Sequence, residues 1–133
     1  MKLKKLSAFA LSMLLVFAFV LPTFAGTAQF NRNIYGGSSH TIATGLAVTQ
    51  TQVSVTVYVL TFPQITNGAK TLSFRGYYNG TACTKLITFS NTGTQPPASY
   101  ITTVPMNAKI DMMASIPSTV STDYAYAQGV IVN

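Results

Sequence analysis

Side chains able to do acid–base, nucleophilic or metal chemistry are few. The chain has one histidine, His40, one cysteine, Cys83, and two acidic residues, Asp111 and Asp123, with no glutamate or tryptophan. Glycoside hydrolysis needs two carboxyl groups facing each other across the scissile bond. Asp111 falls on a predicted strand face beside Lys109, and Asp123 in a predicted turn, so they read as one solvated charge and one turn former. A cysteine nucleophile needs a base within hydrogen-bond reach. Cys83 lies beside a predicted hairpin turn and His40 in a Gly-Ser-rich loop, and nothing in the sequence joins them.

Other chemistries are no better supplied. No Gly-x-Ser-x-Gly elbow is present to hold a serine nucleophile. One His, one Cys and two dispersed Asp lack metal-ligand spacing. Gly36-Gly37-Ser38-Ser39 has no preceding Rossmann-type strand and no P-loop lysine, and reads as a flexible loop. A lysine–asparagine cross-link would need an adjacent acid, and only two acids exist. Asn79-Gly80-Thr81 fits the N-glycosylation pattern but reads as a hairpin turn. The expectation is a protein that is not an enzyme and carries no cofactor or metal.

Binding chemistry is more plausible on composition. Tyr77, Tyr78, Tyr100, Tyr124 and Tyr126 each offer an apolar ring with a polar tip, and are the expected binding surface for a sugar or another protein.

The N-terminus sets the compartment. Lys2, Lys4 and Lys5 precede an uncharged apolar run from Leu6 to Leu21, then Pro22 and small residues, the pattern of a secretory leader. Cleavage is expected after Ala25, alternatively after Ala28. The apolar run falls just short of the roughly 18–20 residues needed to span a bilayer, so contact with the membrane is expected only during export. No cysteine stands at the cleavage site for a lipid anchor, and the C-terminus carries no sorting signal. The short lysine-rich leader, with a single cysteine and hence no intramolecular disulfide, agrees with a Gram-positive origin and an extracellular destination.

Removing 25 residues from 133 leaves 108, enough for one domain with a single core. The full chain's net charge of +6 falls to +3, from Arg32, Lys70, Arg75, Lys85 and Lys109 against Asp111 and Asp123. These charges are scattered, and no basic cluster suggests a nucleic-acid partner. Thr, Ser, Asn and Gln must therefore make the wet surface, while Val, Ile, Leu, Phe and Tyr remain plentiful enough to fold.

Period-two patterning dominates 26–133. The clearest predicted strand is Gln52 to Phe62, with Val53, Val55, Val57 and Val59 on the core face and Gln52, Ser54, Thr56 and Tyr58 on the wet face, ended by Pro63. Its length also suits a membrane-inserting hairpin, although an ordinary half-buried strand is expected. Asn79-Gly80 predicts a type I′ hairpin joining Thr71–Tyr78 to Thr81–Ser90. A strict two-residue loop would set Leu72 opposite Ile87 and Phe74 opposite Lys85; a bulged loop would set Phe74 opposite Leu86. Asn91–Pro97 reads as a loop and Ser99–Val104 as a strand. Ala108–Ile116 reads as a strand with Ile110, Met112, Ala114 and Ile116 inward. Tyr124–Val132 reads as the last strand, His40–Val48 as an early one, and Gln29–Tyr35 as a weaker one.

Seven or eight short strands predict an all-β domain at 26–133, an antiparallel β-sandwich, with a small β-barrel as the alternative. Without catalytic groups, such a domain is expected to act through its surface as an extracellular envelope or matrix component or a partner-binding protein. A secreted antimicrobial or membrane-active protein and a glycan-binding module are the alternatives. Poorly charged strand edges make a second copy of the chain, or a cell-envelope polymer, the expected partner.

Overall fold

A computed structural model describes residues 26–133. The predicted leader and the bulk of its processing region lie outside the described residues. The domain is all-β, with ten strands: β1 (Thr27–Tyr35), β2 (His40–Ala47), β3 (Gln52–Gln64), β4 (Leu72–Tyr78), β5 (Thr81–Ala82), β6 (Ile87–Phe89), β7 (Gly93–Thr94), β8 (Ala98–Ser99), β9 (Lys109–Ser115) and β10 (Tyr124–Val132). They form two antiparallel sheets packed face to face as a β-sandwich. The first runs β1-β10-β3-β7, with β8 also on β3; the second runs β2-β9-β4-β5, with β6 also on β4.

Alternation puts one face of each long strand in the core. Phe30 and Ile34 of β1, Val53, Val55 and Val57 of β3, and Ala125, Ala127 and Ile131 of β10 come from the first sheet. Leu72 and Phe74 of β4 and Ile110, Met112 and Ala114 of β9 come from the second. Phe74 lies at the middle, its ring centroid 5.3 Å from Phe30 of the opposite sheet and 5.6 Å, edge-on, from Phe89 of its own. Such tilted pairs add to the burial that holds the layers together.

Several predicted elements are corrected. The Asn79-Gly80 loop is a two-residue turn with φ of 50° and 77° and Tyr78 opposite Thr81. Further along the same hairpin, however, Leu72 faces Phe89 and Phe74 faces Ile87, so neither predicted register holds throughout. The predicted strand Thr81–Ser90 breaks after Cys83 N, which still donates to Gly76 O at 2.8 Å, because the chain from the Cys83 carbonyl to Lys85 changes partner. Lys85 N donates to Ser99 O and Ile101 N to Cys83 O, at 3.0 and 2.8 Å. The buried Thr84 hydroxyl accepts from Gly76 N at 2.8 Å in place of a ladder carbonyl. Two added residues of register bring Ile87, not Lys85, opposite Phe74, which keeps a charged lysine out of the core.

The predicted strand Ser99–Val104 is reduced to β8, and the predicted loop Asn91–Pro97 contains β7. Ala98 and Ser99 pair with β3 of one sheet, while Tyr100 bridges to Thr84 of the other. One side of the sandwich is thereby stitched shut.

Pro63 does not end β3, which continues to Gln64. The register shifts there, from Tyr126 opposite Thr61 to Tyr124 opposite Gln64, and a bulge accommodates a residue without a backbone donor. A second shift falls between Gln128 opposite Val59 and Gly129 opposite Val57, leaving Tyr58 as the extra residue. Val59 therefore does not continue the core face of Val53, Val55 and Val57. The register sets it on the outer face beside Gln128, and Leu60 and Phe62 pack against the core instead.

Candidate binding surface

The four residues with catalytic potential are placed apart and are held by structural roles. His40 Nε2 lies 3.1 Å from Tyr35 O and 3.2 Å from Tyr35 N, across the turn between β1 and β2. Cys83 follows β5 at the far edge of the second sheet, with β9 and β4 standing between it and β2. Cys83 is only 1 % exposed, and burial pushes its thiol pKa up, partly offset by a backbone hydrogen bond and the charge of Arg75. A thiol held protonated is a poor nucleophile. Cys83 should therefore resist a thiol reagent at neutral pH in the native protein and react fully once urea unfolds it; rapid native labelling would contradict this.

Asp111 Oδ1 accepts from Gly45 N at 3.0 Å, satisfying a donor freed where β2 bulges against β9 and Gly45 takes a φ of 64°. Asp123 is fully buried among loops at one end of the sandwich. The two carboxyl groups do not face one another. Among the described residues, no three of His, Cys, Asp and Glu come together as metal ligands would.

The five predicted surface tyrosines do not form one surface. Tyr77 lies on β4 of the second sheet, opposite Asp111, and Tyr78 at the hairpin end packs against the core. Tyr100 belongs to the stitching segment, and its hydroxyl donates to Oδ1 of the buried Asn133. Burial pushes the Tyr100 pKa up, against that hydrogen bond. Tyr124 and Tyr126 alone share a face, the outer side of β10 in the first sheet.

That face is completed by residues outside the predicted set. Tyr35 pairs with Tyr124 across β1 and β10, and their rings stack at 5.6 Å, tilted by 39°. Tyr58, pushed out by the bulge, is 65 % exposed. Beside it lies a shallow cleft of about 320 Å³ lined by Gln29, Phe30, Asn31, Tyr58, Gln128 and Gly129. Asn31 and Gln128 are direct cross-strand partners. Tyr126 joins them, its hydroxyl donating to Asn31 Oδ1 at 2.9 Å and accepting from Gln128 Nε2.

The sequence does carry a signal for this site. Core apolar residues in β3 occupy odd positions to Val57 and even positions from Leu60, a slip in period that marks a bulge. Gly129, inside an otherwise regular strand, marks a close approach of backbone.

Comparison with protein-family models, curated proteins and solved structures gives no match for this chain.

Proposed function

We propose that this is an exported, non-enzymatic β-sandwich that serves outside the cell as an envelope or matrix component, joining copies of itself by strand addition at β1. The lysine-rich leader with small residues after Pro22 supports export and cleavage after Ala25. Cleavage at the alternative site would remove Thr27 and Ala28, both paired in β1, which favours the earlier cut.

One observation carries the assembly reading. All nine residues of β1 pair with β10 in unbroken register, and the strand's other edge is the rim of the sheet. The other rims are blunted, as natural sheets usually require. β5, β7 and β8 have two residues each and β6 three, β2 is interrupted twice by register shifts, and the open edge of β3 at Tyr58–Gln64 is broken by the Tyr58 bulge and by Pro63 with its register shift. The one charged residue of β1, Arg32, is turned to Thr41 O of β2 at 2.7 Å. Antiparallel pairing of two β1 strands about Asn31 would set Gln29 opposite Asn33 and Arg32 opposite Phe30, so amides meet amides and no like charges meet.

Light scattering on size-separated residues 26–133 over a wide concentration range should reveal assemblies that grow with concentration and ignore reductant. Asn33→Lys, which adds an edge charge, should return the chain to monomer. A strict monomer at every concentration would refute this reading, and a dimer lost on reduction would assign association to Cys83 instead.

A further inference from the structure

We propose that the cleft beside Tyr58 is a subsite for one neutral sugar ring of an extracellular polysaccharide. A sugar ring presents an apolar C–H face and a rim of hydroxyls, each both donor and acceptor. The cleft offers a partner for each part. The Tyr58 ring, lifted by the bulge, is an exposed aromatic wall on which an apolar ring face can rest. The sheet surface at Phe30 and Gly129, where no outward side chain rises, forms the floor, and the amide side chains of Gln29, Asn31 and Gln128 stand around it. Its volume of about 320 Å³ is at the low end of the roughly 300–1,000 Å³ usual for ligand sites, suited to one ring.

Tyr126 fixes which amide atoms are free. Its hydroxyl gives its proton to Asn31 Oδ1 and receives one from Gln128 Nε2. The Asn31 Nδ2 donors and the Gln128 Oε1 acceptor are left for a ligand. Because these residues are cross-strand partners, donor and acceptor lie side by side, as two neighbouring hydroxyls of a sugar require. None of the lining residues is charged. A phosphate or uronic acid would leave its hydration shell with no cation to receive it. Tyr126 is thus a positioning residue, and Tyr58, Asn31 and Gln128 touch the ligand. The subsite uses the face of the sheet and the proposed assembly its edge, so the failure of either leaves the other standing.

The test is a nuclear magnetic resonance titration of isotope-labelled residues 26–133, which contain every described strand and the whole described core. The probes are cellotetraose, the tetramer of N-acetylglucosamine and, as a charged counterpart, tetragalacturonate. At least one neutral oligosaccharide should produce saturable shifts of the Asn31 and Gln128 side-chain amides, with roughly millimolar affinity for so small a contact. Tyr58→Ala should weaken binding about tenfold or more, and its exposed position should leave the rest of the spectrum unchanged. Tyr126→Phe keeps the ring and removes the relay, so it should also weaken binding while the strands stay intact. No shifts with either neutral probe, equal binding of the uronate, or binding unaffected by Tyr58→Ala would each overturn the proposal.

Discussion

Asp123→Ala should cause the deepest loss of stability of any single polar substitution in this domain, with Asp123→Asn recovering part of it. The Asp123 carboxylate is fully buried, and each oxygen is committed. Oδ2 accepts from Ser118 Oγ at 2.6 Å, Thr66 N at 2.8 Å and Asn67 N at 3.0 Å, while Oδ1 accepts from Thr66 Oγ1 at 2.7 Å. Its backbone is committed too, with Gly36 N donating to Asp123 O at 2.9 Å. The side chain thus ties the loop after β3 to the segment before β10, and the backbone of the same residue ties on the loop after β1. Alanine would orphan the buried Ser118 hydroxyl, which costs more than its bond contributes, and would cut the three hydrogen bonds that hold the exposed Thr66–Asn67 loop against this end of the sandwich. Asparagine can still accept from the two backbone donors, and the Thr66 hydroxyl can rotate to receive its amide, so the geometry survives without the charge.

The same side chain sets the acid limit. Burial opposes ionisation of Asp123, but the hydrogen bonds from Ser118, Thr66 and Asn67 outweigh it and hold the carboxyl at about 2, below its ordinary 3.8. A folded pKa below the unfolded one means that the stabilisation is complete above the unfolded value and drains away as pH falls through the folded one. Thermal unfolding followed by circular dichroism should therefore show a wild-type midpoint that drops between about pH 4 and 2. Asp123→Asn should be less stable at pH 7 and lose less over that window. An equal acid slope in both proteins would place the sensitivity elsewhere.

Gly129→Ala should also be severe, costing at least the roughly 1–3 kcal/mol typical of overpacking a filled core. Gly129 is the direct partner of Phe30, whose ring lies over the position a side chain would occupy. An added Cβ would stand 2.6 Å from Phe30 Cζ and 2.1 Å from Thr56 O, and the latter is backbone that cannot swing aside. Relief would require β3 and β10 to part at the centre of the first sheet. Gly80→Ala is a useful contrast, since open space surrounds that position and only its φ of 77° resists, at roughly 1–2 kcal/mol. Urea denaturation of both variants measures the difference. A Gly129→Ala protein no less stable than Gly80→Ala would show that the sheet yields where we expect it to be rigid.

Local pattern made the sandwich legible in the sequence, because inward and outward residues alternate cleanly along β9 and β10 and through Val57 of β3. The Asn79-Gly80 turn was equally legible, since two consecutive positive φ values select that dipeptide. What escaped were departures that depend on distant strands. From the Cys83 carbonyl to Lys85 the chain leaves its hairpin because Ser99–Ile101 offers an alternative partner, and nothing within the hairpin announces that. Asp123 resembles any turn aspartate until Thr66 and Asn67 are folded against it. Of the tyrosines on the outer face of the first sheet, the pattern singled out Tyr124 and Tyr126 by residue type. Tyr58 stayed hidden because a strict two-residue period treats every strand position alike, whereas a bulge makes one residue different from its neighbours.

The Tyr58 bulge is also an insertion, and a removable one. Without residue 58, Val57 opposite Gly129 and Val59 opposite Gln128 would follow in a continuous ladder, with Val57 still inward and Val59 still outward. Loss of one residue from the regular stretch around Val55 would instead turn the side chains between it and the bulge to the wrong face. A single codon therefore separates a chain that has the cleft from one with the same core and a continuous ladder between β3 and β10 from Ser54 to the shift at Pro63. Natural variation in this domain could gain or discard the cleft in one step, with the scaffold left as it is.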